Sequence, residues 1–203
     1  EKSLRMVAGD NVKTVISIYE RTSAFHLWCE YGQRRAKILV GGEVIAMCEI
    51  NERAFGRPME AQIVDRLREN CSGLVSLVAV LDNRLVGHIL FSPVTLESGG
   101  AVIHGTGLAP MAVLPEHQRQ GIGSRLVQAG LAALREAGCP FVIVLGHAHY
   151  YPRFGFKPAS QCGLRSQWNG VPDEAFMALV FDAARLRGAS GIAVDPTGKY
   201  VAV

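Results

Sequence analysis

Apolar positions recur along this chain with two different periods, and the switches between them divide it into elements. Val44, Ile45, Met47, Cys48 and Ile50 fall at helical spacing up to Phe55, where Gly56 and Pro58 stop the pattern. Ala61, Ile63, Val64 and Leu67 repeat at three- and four-residue steps and predict a second helix ending near Asn70. Leu74 to Leu81 is a dense apolar run, Asp82-Asn83 a tight turn, and Leu85 to Pro93 the partner strand of a hairpin. After the loop tip Ser98-Gly99-Gly100, Ala101 to Val113 is apolar but punctuated by glycines and Pro110, which predicts an irregular strand or a bent pair. Ser124 to Ala137 places Leu126, Val127, Leu131 and Leu134 on one helical face, with Gly138 as its stop. Phe141 to Leu145 reads as a buried strand, Tyr150 to Phe156 as a short helix-like turn, and Ala175 to Phe181 as the last strand. With Ala36 to Val40 as an opening strand, hairpin and crossover connections alternate, and a mixed α/β sheet covered by helices is expected.

Composition narrows the field. The 203 residues suit one domain at ~150 residues each, with an appendage. Hydrophobic residues make up 49% and charged residues 19%, which excludes a disordered chain unable to bury apolar surface. The 21 Lys+Arg against 18 Asp+Glu leave a net charge of +3, with no basic stripe to meet a nucleic acid. No apolar run approaches the ~20 residues of a membrane span. Five scattered cysteines, Cys29, Cys48, Cys71, Cys139 and Cys162, form no C-x-x-C pair. They signal neither a metal site nor a disulfide framework, and a cytoplasmic setting is expected. Residues 1–35 read as an extension, with a cap or dimer arm (and hence a homodimer) as the alternative; residues 186–203 read as a tail.

The stretch from Met111 to Ser124 carries the chemistry. A strand ends at Val113, Pro115 breaks it, and Gln118-Arg119-Gln120-Gly121-Ile122-Gly123-Ser124 leads directly into a helix. Free N–H groups of a first helical turn, together with the helix dipole, favour an anion there. Glycines at 121 and 123 let the backbone approach an oxyanion closely; Arg119 adds a charge and Ser124 a hydroxyl donor. A P-loop is excluded, because no Gly-Lys-Ser/Thr follows, and a dinucleotide fingerprint fails at Leu126.

This stretch resembles the acyl-CoA pyrophosphate loop of the GNAT superfamily of N-acetyltransferases, Gln/Arg-x-x-Gly-x-Gly/Ala after a strand, met here by Gln118, Gly121 and Gly123. A second likeness follows in order: the strand Phe141 to Leu145, then Tyr150-Tyr151-Pro152-Arg153-Phe154-Gly155-Phe156, similar to the late Tyr-x-x-x-Gly-Phe element. The Glu52-Arg53-Ala54-Phe55 end of the first helix is similar too, and the resemblance covers about Ala36 to Phe181, or 36–185 as a domain. It implies a largely antiparallel central sheet flanked by helices and acetyl-CoA as cosubstrate without a metal. The acceptor would be the primary amine of a small molecule or peptide. Met111, Ala112 and Val113 would hydrogen-bond the pantetheine arm, and backbone N–H groups from Arg119 to Ser124, including those of Gln120 and Ile122, would hold the pyrophosphate. An N–H near Val113 would polarise the thioester.

Tyr151, four residues before Gly155, matches the position of a general acid for the leaving thiolate, with Tyr150 as its rival. No acid stands between Ser98 and Leu114, so the family's strand glutamate has no counterpart. Of His104, His147 and His149, His147 is the first candidate for the base because it lies just past a strand end. Glu97 and Glu116 read as solvated loop charges, Glu52 as a second option for the cleft, and Arg153 and Arg165 as surface arginines. Trp168-Asn169-Gly170 reads as a turn with a half-buried Trp, the acceptor pocket being the other choice. Cys139 and Cys162 have no histidine paired to them in a motif, so direct attack in a ternary complex is expected rather than an acyl-cysteine. The competing class is an acyl-CoA-binding regulatory domain without turnover.

Overall fold

A computed structural model describes residues 8–9, 12–19, 42–71, 73–82 and 84–194. The expected strand Ala36 to Val40 lies outside the described residues. The chain divides into two compact units, one of residues 1–91 with 110–133, the other of 92–109 with 134–203. Strands β4 (Arg84–Ser98) and β5 (Ala101–Val113) each contribute to both.

In the first unit, β1 (Ala8–Gly9), β2 (Val12–Tyr19), β3 (Leu74–Leu81), β4 and β5 follow one another across a sheet. β2, in the stretch read as an N-terminal extension, pairs antiparallel along the whole of β3, Val12 with Leu81 through Tyr19 with Leu74. β3 and β4 form the expected hairpin, with Asp82 at φ 48° in its turn. Helices α1 (Gly42–Phe55) and α2 (Met59–Asn70) end where predicted, and each begins two residues before its periodic run. Helix α3 (Ile122–Glu136) begins two residues before the periodicity placed it. It packs closely on β4 because both surfaces use glycine. A Cβ on Gly130 would enter the Phe91 ring, and one on Gly87 would lie 3.1 Å from Leu126 Cδ1.

In the second unit β4, β5, β6 (Phe141–Leu145), β9 (Phe176–Val180) and β7 (Lys157–Pro158) are neighbours in that order. β5 and β6 are parallel, while β6–β9 and β7–β9 are antiparallel, giving the mixed α/β architecture with helices flanking the sheet. Val94, Leu96, Phe141, Ile143, Leu164 and Phe176 lead its buried cluster.

Three findings differ from the sequence reading. β4 runs five residues past Pro93, to Ser98. Pro93 has no N–H to place, and along β4 it stands two residues after the last β3 partner, Phe91, and two before the first β10 partner, Thr95. β5 is one thirteen-residue strand rather than a bent pair. β9 is not the last strand: β10 (Gly191–Val194) pairs antiparallel with Thr95–Glu97 of β4 and parallel with β8 (Leu164–Ser166). Its four residues are too short for a periodic signal.

The first unit encloses a polar chain that nothing in the sequence singled out. His88, 0% exposed on β4, lies between Ser76 Oγ, 3.0 Å from Nε2, and Asn51 Nδ2, 3.1 Å from Nδ1. Asn51 Nδ2 also donates to the Met47 carbonyl at 2.7 Å. Because Nδ2 only donates, Nδ1 is the acceptor and Nε2 carries the hydrogen toward Ser76. A second proton would face a donor in a dry interior, so burial first and Arg68 second lower the His88 pKa to about 3. The unfolded chain takes up that proton near ~6.5 and the folded one does not, so stability is full above ~6.5 and falls as pH drops toward 3. His88→Gln is expected to remove about one proton, or ~1.4 kcal/mol per pH unit, from the pH dependence of urea unfolding between pH 6 and 4. An unchanged slope would refute the buried neutral imidazole.

Candidate functional site

β5 ends at Val113, Pro115–His117 make one 3-10 turn, and Ile122 opens α3. Between them Arg119 has φ 60° and Gly121 φ 80°. The left-handed region is free to glycine but costs about 1–2 kcal/mol at a residue with a Cβ, so the turn around Arg119 is imposed by its neighbours. Gln118 Nε2 donates to the Val113 carbonyl at 3.0 Å and Gln120 Nε2 to the Glu116 carbonyl at 3.2 Å. Arg53 Nη2 on α1 donates to Glu116 Oε1 at 2.8 Å. Glu116 is therefore paired rather than a lone loop charge. Gln118 is committed to ordering the loop, and it already occupies the Val113 carbonyl.

The main-chain N–H groups from Arg119 to Ser124 meet no backbone acceptor among the described residues. Arg119, Gln120 and Gly121 are exposed, and nothing lies within 4 Å of a Cβ built on Gly121. Ile122 is 2% exposed, so its side chain belongs to the core and its N–H to the loop. Amides fixed on a turn at a helix start form a concavity for an anion. Upstream, β6 partners β5 only at Thr106, Gly107 and Leu108. β5 continues to Val113 beyond that last partner, through Pro110, which has no N–H, to Met111, Ala112 and Val113.

In the second unit the Tyr151 ring is seated on backbone. Gly146 follows β6 and donates its N–H to the Ala175 carbonyl at 2.9 Å. A Cβ there would stand 2.5 Å from Tyr151 Cε2. Tyr151, 7% exposed, meets Tyr150 and Phe156 edge to face, with centroids 5.1 and 5.7 Å apart. Burial, with Tyr150 beside it, pushes its hydroxyl well above the usual tyrosine range, and among the described residues no group hydrogen-bonds it. Tyr150 is the more exposed of the two, with the Arg153 guanidinium 3.9 Å from its ring centroid. His104, His147 and His149 are exposed, as are Glu52, Glu97 and Arg165. His147 contributes its carbonyl to the Tyr150 N–H at 2.9 Å. Cys139 Sγ donates to the Phe141 carbonyl at 3.1 Å, a packed thiol.

The second unit also contains a cavity of about 40 Å³ that the sequence reading missed. Ile143 and Leu145 of β6, Phe176 of β9 and the half-buried Trp168 wall it over Gly107 and Ala109 of β5. Its signal was present as small residues at a strand period, Gly105, Gly107 and Ala109, but only the fold shows which gap is filled. The Phe141 ring takes the place a Cβ would need at Gly105. Among the described residues no group of three His, Cys, Asp or Glu side chains gathers to hold a metal ion. No helix among them is long and apolar enough to cross a membrane.

A mixed sheet with a truncated parallel ladder, followed by a glycine turn and a helix, is the frame of an acyl-CoA N-acyltransferase fold. Residues 36–159 match the family described as Acetyltransferase (GNAT) domain, and the chain belongs to that family. It is 46% identical over 116 residues to YjhQ of Escherichia coli K12, an uncharacterized N-acetyltransferase; that match covers 55% of this chain and 63% of the relative, a little under two thirds of its length. YhbS of the same strain, likewise an uncharacterized N-acetyltransferase, is 36% identical over 141 residues, 69% of this chain and 83% of YhbS. The crystal structure of Escherichia coli YhbS in complex with CoA superposes with a TM-score of 0.69 at 31% identity, covering 77% of this chain and 86% of that one. A Brucella melitensis GNAT acetyltransferase in complex with acetyl-CoA gives 0.60 at 33% identity, covering 80% and 95%.

Seating Tyr151 depends on Gly146. Gly146→Ala is expected to lower stability by about 1–3 kcal/mol in urea unfolding and to bring the Tyr151 hydroxyl down toward the ordinary tyrosine range. Absorbance titration against a Tyr151→Phe control reads the second effect, and identical titration curves for Gly146→Ala and the parent would refute the contact.

Proposed function

We propose that this domain transfers an acetyl group from acetyl-CoA to the primary amine of a small molecule or peptide, by direct attack in a ternary complex. The observation that carries the reading is the ordered turn from Gln118 to Ser124, whose N–H groups from Arg119 to Ser124 meet no backbone acceptor among the described residues. Those amides would hold the pyrophosphate, with Gly121 leaving room for its oxygens and Arg119 adding charge. Gln118, placed with the cofactor-binding residues, also orders the loop through its bond to the Val113 carbonyl. In the stretch Met111, Ala112 and Val113, beyond the last β6 partner, Met111 and Val113 would offer their N–H groups to the pantetheine and the thioester carbonyl, with Ala112 between them turned to β4. The bound CoA and acetyl-CoA of the Escherichia coli and Brucella relatives support the cosubstrate.

In the reaction the amine nitrogen attacks the thioester carbonyl, the carbon–sulfur bond breaks and CoA leaves as thiolate. Tyr151 is the proposed acid. Its raised pKa keeps the hydroxyl protonated throughout the working pH range, and among the described residues that hydroxyl has no other partner. Because a thiol ionises near ~8.5, full transfer from so weak an acid is uphill, and Tyr151 acts by donating a hydrogen bond that stabilises the departing sulfur. His147, exposed at the end of β6, is the proposed base for the amine proton. Cys48, Cys71, Cys139 and Cys162 are free thiols, which supports a cytoplasmic setting.

Gly121→Asp places a side chain and a negative charge among the amides and is expected to weaken acetyl-CoA binding at least tenfold by calorimetry; unaltered affinity would remove the pyrophosphate from this turn. Tyr151→Phe is expected to slow CoA thiol release, measured over a panel of amines, by tenfold or more while acetyl-CoA affinity stays within about twofold. An equal rate at saturating substrate would end the acid role. Tight binding with no thiol release from any amine would instead support an acyl-CoA-binding regulatory domain.

A further inference from the structure

Asn169-Gly170 is the sequence's single Asn-Gly pair, and neither the pyrophosphate turn nor Tyr151's proposed role uses it. It lies in the loop between β8 and β9, which is tied down on both sides. The Trp168 N–H donates to Ser166 Oγ at 3.1 Å, and the Pro172 carbonyl accepts from the N–H groups of Ala175 and Phe176 at 3.0 and 3.2 Å. Between these ties Asn169 and Gly170 are exposed, and neither takes part in a hydrogen bond among the described residues. The Val171 N–H meets no backbone acceptor among them either, so no i to i+3 bond closes the turn. Gly170 has φ 79°, and nothing lies within 4 Å of a Cβ built on it.

Such a pair can react with its own backbone. Attack of the Gly170 nitrogen on Asn169 Cγ closes a five-membered succinimide. The attacking nitrogen gives up its proton, the bond from Cγ to the side-chain nitrogen breaks, and that nitrogen leaves as ammonia. Water then opens the ring at either carbonyl and leaves aspartate or isoaspartate at position 169. Asparagine and water become acid and ammonia, with no other reactant. The step requires a backbone nitrogen that is unbonded and unshielded by a Cβ, and an amide side chain able to turn toward it. Two other asparagines lack these conditions. Asn51 is 0% exposed and its Nδ2 donates to the Met47 carbonyl. Asn70 is exposed, but its Nδ2 donates to the Arg66 carbonyl at 2.7 Å, and the following N–H, that of Cys71, donates to the Leu67 carbonyl at 2.8 Å.

We propose that Asn169 is a site of spontaneous covalent modification, converting through a succinimide with Gly170 to aspartate and isoaspartate. The product places a carboxylate next in the chain to Trp168, a wall of the cavity, and removes one unit from the net charge of +3. To test it, the full chain is held in warm, mildly alkaline buffer, with and without urea, and sampled by ion exchange and peptide mass spectrometry. A more acidic species is expected to accumulate, with the change located at residue 169 as two product peptides. Its rate in the folded chain is expected to lie within about threefold of the rate in urea, while Asn51 and Asn70 stay intact in the folded chain. Gly170→Ala, which shields the attacking nitrogen, is expected to slow conversion at least tenfold, and Asn169→Gln, which leaves Gly170 in its left-handed turn, to abolish the acidic species. Asn169 kept intact in the folded chain while the urea sample converts would show that the turn protects it and would overturn the proposal. Conversion of Asn70 at an equal rate in the folded chain would overturn it as well.

Discussion

Unspent main-chain hydrogen bonding is the constraint around which this architecture is arranged. A buried strand normally surrenders every N–H and C=O to its neighbours, yet β5 has β6 partners only at Thr106, Gly107 and Leu108 and then runs on to Val113. Pro110, which has no N–H to place, lies in that stretch. The following turn repeats the pattern, since the amides from Arg119 to Ser124 meet no backbone acceptor among the described residues. Such donors are kept open only if the backbone is prevented from folding back on itself. The side chains of Gln118 and Gln120 do this by occupying the Val113 and Glu116 carbonyls, and Arg53 holds Glu116 from α1.

A second device recurs in both units: an aromatic ring laid against a glycine. Phe91 lies on Gly130 in the first unit, and Phe141 on Gly105 and Tyr151 on Gly146 in the second. The rim of each ring approaches the backbone closely because the residue opposite has no Cβ, and each ring is held in place by that contact. For Phe91 and Phe141 the result is packing. For Tyr151 the same seat buries the ring, burial raises the pKa of its hydroxyl, and among the described residues no group hydrogen-bonds that hydroxyl, so one packing rule also yields the proposed acid.

Much of the candidate site was legible along the chain because its information is local. Gln118, Gly121 and Gly123 sit between a strand and an amphipathic helix, and the requirement for left-handed backbone is written in glycine at 121. Tyr151 was separated from Tyr150 only by the Tyr-x-x-x-Gly spacing; burial now separates them physically, Tyr151 under the turn and Tyr150 beneath Arg153. The His88 chain escaped the sequence reading because Asn51, Ser76 and His88 come from three elements and none of them has a distinguishing neighbour. The same holds for the cavity, whose walls come from β4, β5, β6, β9 and the Trp168 loop.

Periodicity, turn residues and the strand–glycine–helix order determined by themselves most element types from α1 to β9, the mixed sheet and the place of the glycine turn before α3, since each depends on residues a few positions apart. Tertiary structure alone decided that β10 closes on β4, that Arg119 is held left-handed and that His88 is dry and neutral. It also decided that Gly107 and Ala109 leave a gap where Gly105 leaves none. Those outcomes depend on which distant side chain arrives to fill a space or satisfy a donor, a matter of three-dimensional neighbours that no spacing along one chain can encode.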